Sequence, residues 1–275
     1  MKIATTSPLF ARHPLEKAFQ IASSLGYDGI ELWGGRPHAY AYDMTPERID
    51  QILRLKERYR VDIPIYLPEV TSYPYNVSSP DPVEREETVV YLKRGLEVAR
   101  ALGIPRVLIN SGHAGFGTTR RENMKNIRSV FLPVVAHAEK VGVDIIIEAL
   151  TPMESNTIFL LDDLVELIED LNSDRVKSML DTVTPLINYE PYYEHFEKLG
   201  DKLDYIHFVD SNGIDQTHMG IGTGVLDMRE LLDLIRRYHY DGWLSIELLS
   251  CGAREPEIYA GREIRALRRL LSELE

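Results

Sequence analysis

The chain has 275 residues, 44% apolar and 27% charged, which is ordinary for a globular protein and a length typical of one α/β barrel rather than two domains. Its 31 basic and 43 acidic side chains leave a formal charge of −12, which argues against nucleic acid as a partner, because binding phosphate needs basic surface. No apolar run approaches the ~20 residues of a membrane span, MKIATTSPLF is not a signal peptide, and the single Cys251 permits no internal disulfide, so the expected setting is the cytoplasm, away from membranes.

Lys2–Ser7 reads as a short strand, closed by Ser7-Pro8. Leu15, Ala18, Phe19, Ala22 and Leu25 follow helical spacing up to Gly26. GIELW (29–33) is a second strand, broken by Gly34-Gly35-Arg36-Pro37. Thr45-Pro46-Glu47 carries a cap-plus-proline start for a helix running to about Tyr59. Val61–Leu67 is predicted as the third strand, followed by the loop PEVTSYPYNVSSPDP and a helix over Val83–Leu102. Arg106–Asn110 is the fourth strand, with the glycine-rich SGHAGFGTT behind it and a helix over Glu122–Lys140.

The apolar β-branched run Val143–Ile147 stops at Glu148, which places an acid at the carboxyl end of a fifth strand buried on both faces. Leu160–Leu171 is helical, Val176–Asp181 the sixth strand, Glu190–Leu199 a helix and Leu203–Phe208 the seventh strand. Residues 210–224 read as an Asp- and Gly-rich loop. Asp227–Tyr238 is a helix, Gly242–Leu248 the eighth strand and Glu255–Leu274 the last helix.

Eight strands alternate with eight helices at intervals of about 34 residues, the pattern of a parallel sheet closed into a single-domain (β/α)8 TIM barrel over 1–275. A doubly wound open sheet is the second choice, but TTSPLFARH after the first strand carries no GxGxxG fingerprint. The short turns LGYDG, LGIPR, VGV and LGDKL all precede strands, and the long loops follow strands, where barrel enzymes keep their chemistry.

Four residues end successive strands at that face: Glu148, Asp181, His207 and Glu247, separated by 33, 26 and 40 positions. One such acid is commonly a cap or an ion-pair partner, and one such histidine a hydrogen-bonded core residue. Four together form a ligand set. Three carboxylates crowded at one rim repel unless a cation neutralises them, and with an imidazole they suit one divalent ion of the Mn, Co, Ni, Mg or Zn group. Lesser candidates for substrate contact are His113, His38 and His218 on loops after strands, and Trp33, with Tyr73 and Tyr75, as an apolar wall. Glu69 and Asp210 are candidates for a cationic substrate group. Loop aromatics, by analogy with other barrels, which often pair, make a second copy of the chain the expected partner.

The marks GYDGIELW, IIIEALTP, the LD of strand six, IHFVD and IELL resemble the xylose isomerase-like barrels that include the ketose 3-epimerases, over essentially the whole chain. Finer segments (PEVTSYPYN, EALTPMESN, HFVDSNGIDQTH, EPEIYA) resemble the branch of that family that acts on fructoselysine. The resemblance implies that Glu148, Asp181, His207 and Glu247 are metal ligands, that the two glutamates are an acid/base pair, and that Glu154 is a carboxylate beside the substrate.

Two positions depart from the ketohexose pattern: Thr184 stands where a histidine is usual, and Gly213 where an arginine is usual. Both weaken the case for free tagatose or psicose. The resemblance implies a ketosamine with an amino-acid tail, for which Arg36 or His38 would be carboxylate partners. The implied reaction removes the proton at carbon 3 of a ketose with one glutamate and delivers a different proton to the opposite face from the other, through a cis-enediolate that a divalent ion stabilises. An aldose–ketose isomerase or inosose dehydratase would use the same residues. An endonuclease IV-like phosphodiesterase would need more ligands and a basic groove, and a non-catalytic sugar-binding barrel would not need all four ligands.

Overall fold

The strand-buried runs fold as eight parallel strands: β1 (Lys2–Thr6), β2 (Gly29–Gly34), β3 (Tyr66–Pro68), β4 (Arg106–Asn110), β5 (Asp144–Glu148), β6 (Val176–Asp181), β7 (Leu203–His207) and β10 (Trp243–Ile246). A short antiparallel pair, β8 (Asp210–Ser211) and β9 (His218–Met219), lies between the last two. The computed structural model describes residues 1–248 and 254–274, and Cys251 lies outside them. The eight close into a barrel in the order β1-β10-β7-β6-β5-β4-β3-β2, as the alternation predicts. Among the described residues no helix is long and apolar enough to cross a membrane.

Outside the barrel run α1 (Leu15–Leu25), α2 (Pro46–Tyr59), α3 (Pro82–Leu102), α4 (Arg120–Val141), α5 (Leu161–Leu171), α6 (Val183–Asn188), α7 (Tyr192–Leu199), α8 (Met228–Arg237) and α9 (Pro256–Glu273). The start of α2 is as read: Thr45 Oγ1 accepts the Arg48 N–H at 3.3 Å and Pro46 fills the first turn. Gly142 ends α4 at φ +73° and turns the chain into β5, a conformation that costs a residue with a Cβ more than glycine.

The strands divide their side chains by parity. Ile145, Ile147, Leu180 and Ile206 point outward into the large core shared with the helices. Ala4, Ile65, Leu108, Ile146, Met179, Tyr205 and Trp243 point inward and plug the middle of the barrel. Below the plug, Arg106 donates to Asp204 at 2.5 Å and Lys177 lies 3.5 Å from Asp144 and 3.6 Å from Asp204, so charges of both signs close the bottom. Above it, the next inward positions are polar apart from Leu67 on β3, which packs against the plug.

Three predicted elements differ. The third strand is only Tyr66–Pro68, because Pro64 lacks an N–H for the ladder and only Asp62 bridges to Gly29 upstream. VTPLIN folds as the short α6, which its length and internal Pro185 conceal in the sequence. The loop over 210–224 contains the β8–β9 hairpin.

Candidate active site

Glu148, Asp181 and His207 are the last residues of β5, β6 and β7, and Glu247 follows β10 directly. Parallel register sets Asp181 beside His207, and His207 beside Ser245 two residues before Glu247. Inward parity then aims all four at one point. Each offers a donor atom within 4.8 Å of the others, and all four are buried. His207 Nδ1 is the hub: Glu247 Oε2 lies 3.0 Å away, Glu148 Oε1 3.5 Å and Asp181 Oδ2 3.7 Å. Yet Nδ1 meets hydrogen-bond geometry with none of them. The opposite nitrogen, Nε2, lies 2.9 Å from Glu31 Oε2.

The electrostatics follow from this crowding. Burial pushes the Glu148 carboxyl up to about 7; His207 pulls it down, while Glu247 and Asp181 add to the rise. Glu247 is also penalised by burial, but His207 and His218 more than offset that and hold it down to about 2. Asp181 is held well below the carboxylate range, burial being outweighed by His218 and His207. Burial lowers an imidazole, but Glu247 and Glu31, with Asp181 and Glu148, hold His207 well above its ordinary value. Three carboxylates around one ring nitrogen require positive charge at that point, supplied by a proton on Nδ1 or by a cation. Three carboxylate donors and one imidazole fit a divalent ion, so the cluster passes the chemical test for a metal site.

A cavity of ≈ 270 Å³ opens directly above, lined by Trp33, Glu69, Asn110, Glu154, Thr184 and His218 with the acids of the cluster. A larger hollow of ≈ 690 Å³, bordered by Arg175, Lys198 and Lys202, touches none of these residues. The smaller one is the candidate site because it alone of the two borders the cluster. His218, on β9, completes the wall: its Nε2 is 3.2 Å from Asp181 Oδ2 and its Nδ1 3.3 Å from Glu247 Oε2. Glu154 Oε2 accepts from Thr151 Oγ1 at 2.8 Å, and burial, then Asp181, raise its pKa. Trp33 Nε1 donates to Glu69 Oε2 at 2.5 Å, and Glu69 Oε1 accepts from Thr71 Oγ1 and the Ser72 N–H. Glu69 thus faces the cavity with both oxygens already engaged.

Other expected contacts lie elsewhere. His38 is 1% exposed, its ring held between Ser7 Oγ (3.3 Å) and the His13 carbonyl (3.1 Å), so it packs behind Trp33. Burial lowers its pKa. Asp210 is fully buried and accepts the N–H groups of Ser211, Gly222, Gly224 and Leu226, which makes it the anchor of the hairpin loop. His113 accepts the Gly115 N–H at 2.8 Å and packs edge-on to Phe116, outside the residues lining the cavity. Arg36 is committed to Asp43 through two bonds of 2.6 and 2.7 Å. Tyr75 stacks on Tyr91 at 3.9 Å, and the Tyr73 hydroxyl accepts the Arg36 N–H, so these rings pack loops together. Of the departures, Thr184 lines the cavity, and Gly213 sits at φ +72°, a turn position that an arginine would strain.

Sequence reading passed over Asn110 and Glu31. Asn110 ends β4, pairs in register with Glu148 and lines the cavity. The strand-end rule that found Glu148 would have found it. Glu31 is the single charged residue of GIELW, and that was its signal.

A family model for the xylose isomerase-like TIM barrel matches residues 19–270. The chain belongs to that family. Among xylose isomerase-like relatives it is 39% identical over 263 residues to the fructoselysine 3-epimerase of Escherichia coli O157:H7, covering 95% of each chain. Two solved barrels share its fold: the D-psicose 3-epimerase of Clostridium cellulolyticum H10, described with D-tagatose (TM-score 0.82, 18% identity, 100% of both chains), and the IOLI protein described with a zinc atom (TM-score 0.80, 18% identity, 99% of this chain and 97% of that one).

Proposed function

We propose that this chain is a divalent-metal-dependent 3-epimerase of a ketosamine, interconverting fructoselysine and its carbon-3 epimer psicoselysine. The observation that carries the reading is the placement of Glu148 and Glu247 in one buried cluster on strands separated by β6 and β7, below a cavity bordered by both. Two acids that approach a bound sugar from different strands can serve its two faces. The 39% identity to a fructoselysine 3-epimerase across 95% of both chains supports the substrate class.

In this reading Glu148, Asp181, His207 and Glu247 hold one divalent ion, manganese or another of the Co, Ni, Mg and Zn group. Such an ion, when bound, lowers the cost of negative charge developing on the substrate oxygens. The chain supplies the rest. One glutamate accepts the carbon-3 proton, and the other delivers a proton to the opposite face, giving a cis-enediolate between the two transfers. Glu154 and His218 border the same cavity with a carboxylate and an imidazole, suited to the ammonium and the hydroxyls of a ketosamine. Thr184, smaller than histidine, leaves room on that side for a substituted nitrogen.

A cytoplasmic setting and pairing with a second copy belong to the same reading. The first is supported by the single cysteine, the second by two side chains each 94% exposed, Phe116 on the loop after β4 and Tyr189 in the turn between α6 and α7. The test is a panel of ketoses and ketosamines incubated in D₂O with metal-loaded protein. Deuterium entering carbon 3 of fructoselysine, with psicoselysine accumulating, is the expected result. Exchange at carbon 1 with aldose formation would make the chain an aldose–ketose isomerase instead.

A further inference from the structure

Below the acid cluster the barrel interior carries a polar residue that the chemistry above does not use. Glu31 sits on β2, three strands around the barrel from β7, and is 0% exposed. A carboxylate taken wholly out of water loses its hydration and is costly to bury unless something positive or hydrogen-donating meets it. Its Oε2 lies 2.9 Å from His207 Nε2 and accepts from Ser245 Oγ at 3.4 Å; its Oε1 has no hydrogen-bond partner. The charged chemistry that Glu31 meets is therefore concentrated on one ring nitrogen.

That contact determines what the other nitrogen can do. With Nε2–H donated downward to Glu31, the ring presents Nδ1 upward, among Glu148, Asp181 and Glu247. A histidine buried only for packing would have one well-aligned partner for Nδ1; here Nδ1 makes no aligned hydrogen bond and instead faces three acids at 3.0 to 3.7 Å. Histidines that bind metals commonly give their second N–H to a carboxylate, which fixes the tautomer and strengthens the ring as a donor.

We propose that Glu31 is a positioning residue: it holds His207 as an Nδ1 donor and so sets the affinity of the cluster for a divalent ion. The inference rests on the metal reading of the four residues and is independent of which sugar is epimerised.

The probe is Co²⁺ alone, titrated into metal-free protein with a competing chelator and followed by its visible absorption. Wild-type protein is expected to take up one ion. Glu31→Gln keeps an oxygen for the Nε2–H but loses the charge, and should bind about 10- to 100-fold more weakly. In a His207→Ala background the same substitution should change affinity by less than about threefold, because Glu31 acts through that ring. Equal affinity of wild type and Glu31→Gln overturns the assignment while leaving the metal site standing, and so does an undiminished loss in the His207→Ala background. No uptake by the wild type removes both. If Glu31→Gln does not fold, ¹⁵N-histidine NMR of Zn²⁺-loaded wild type decides: a proton on His207 Nε2 with metal on Nδ1 supports the assignment, and a proton on Nδ1 overturns it.

Discussion

Metal uptake should expel protons, and the number follows from the site. In metal-free protein Glu148 titrates near 7, His207 is held protonated at neutral pH by the acids around it, and Glu247 and Asp181 are already ionised. A cation needs the Glu148 carboxylate and the bare Nδ1 lone pair. Across pH 6 to 8 these two groups together release between about one and two protons, fewer as pH rises and Glu148 is already ionised. Both groups must lose protons to bind, so affinity rises with pH. The gain is between about one and two orders of magnitude per pH unit over pH 6 to 8. Calorimetric titration with Mn²⁺ in two buffers of different ionisation enthalpy reads the released protons directly. Heats that are the same in both buffers, or an affinity flat from pH 6 to 8, would refute the charge assignment of the cluster.

Three further outcomes are expected. Glu148→Gln and Glu247→Gln should each cut carbon-3 epimerisation by about 10²- to 10⁴-fold, measured with metal content quantified in parallel; full exchange and turnover in Glu247→Gln would end the two-base scheme. Asp210→Ala strips the acceptor from four backbone N–H groups of the hairpin loop and should cost about 3 kcal/mol in urea unfolding. It should also raise KM through loss of His218 placement, and an unchanged KM would show that β9 is held by other contacts. Ile146→Ala empties part of the barrel plug and should cost about 3 kcal/mol; a loss under about 1 kcal/mol would mean that the plug collapses around the gap.

The strand ends were the legible part of this chain. A β-branched run that terminates in an acid declares both a buried strand and an inward carboxylate, and the four residues found that way meet within 4.8 Å. Loop residues were less legible, because a polar side chain on a loop has many partners to choose from. Asp210 and His38 look like substrate contacts in sequence but are consumed by nearby backbone and hydroxyl groups. His218 is the converse: only a two-residue strand pairing, invisible in composition, carries it to Asp181 and Glu247. Glu31 was hidden differently. It occupies an inward position in mid-strand, and its meaning depends on a residue 176 positions away.

The parity of the strands has an evolutionary consequence. Along β5 the inward positions are Asp144, Ile146 and Glu148, and along β6 they are Lys177, Met179 and Asp181, so each strand stacks an ionic foot, a greasy middle and a reactive head. Inserting or deleting one residue in either strand would turn its head toward the helices and lift a hydrocarbon into the mouth. Descendants of this sequence are free to rewrite the loops at will, but within β5 and β6 an odd change in length keeps the head in place only if a bulge absorbs it, as the register shift between β6 and β7 at Ser178/Met179 already does.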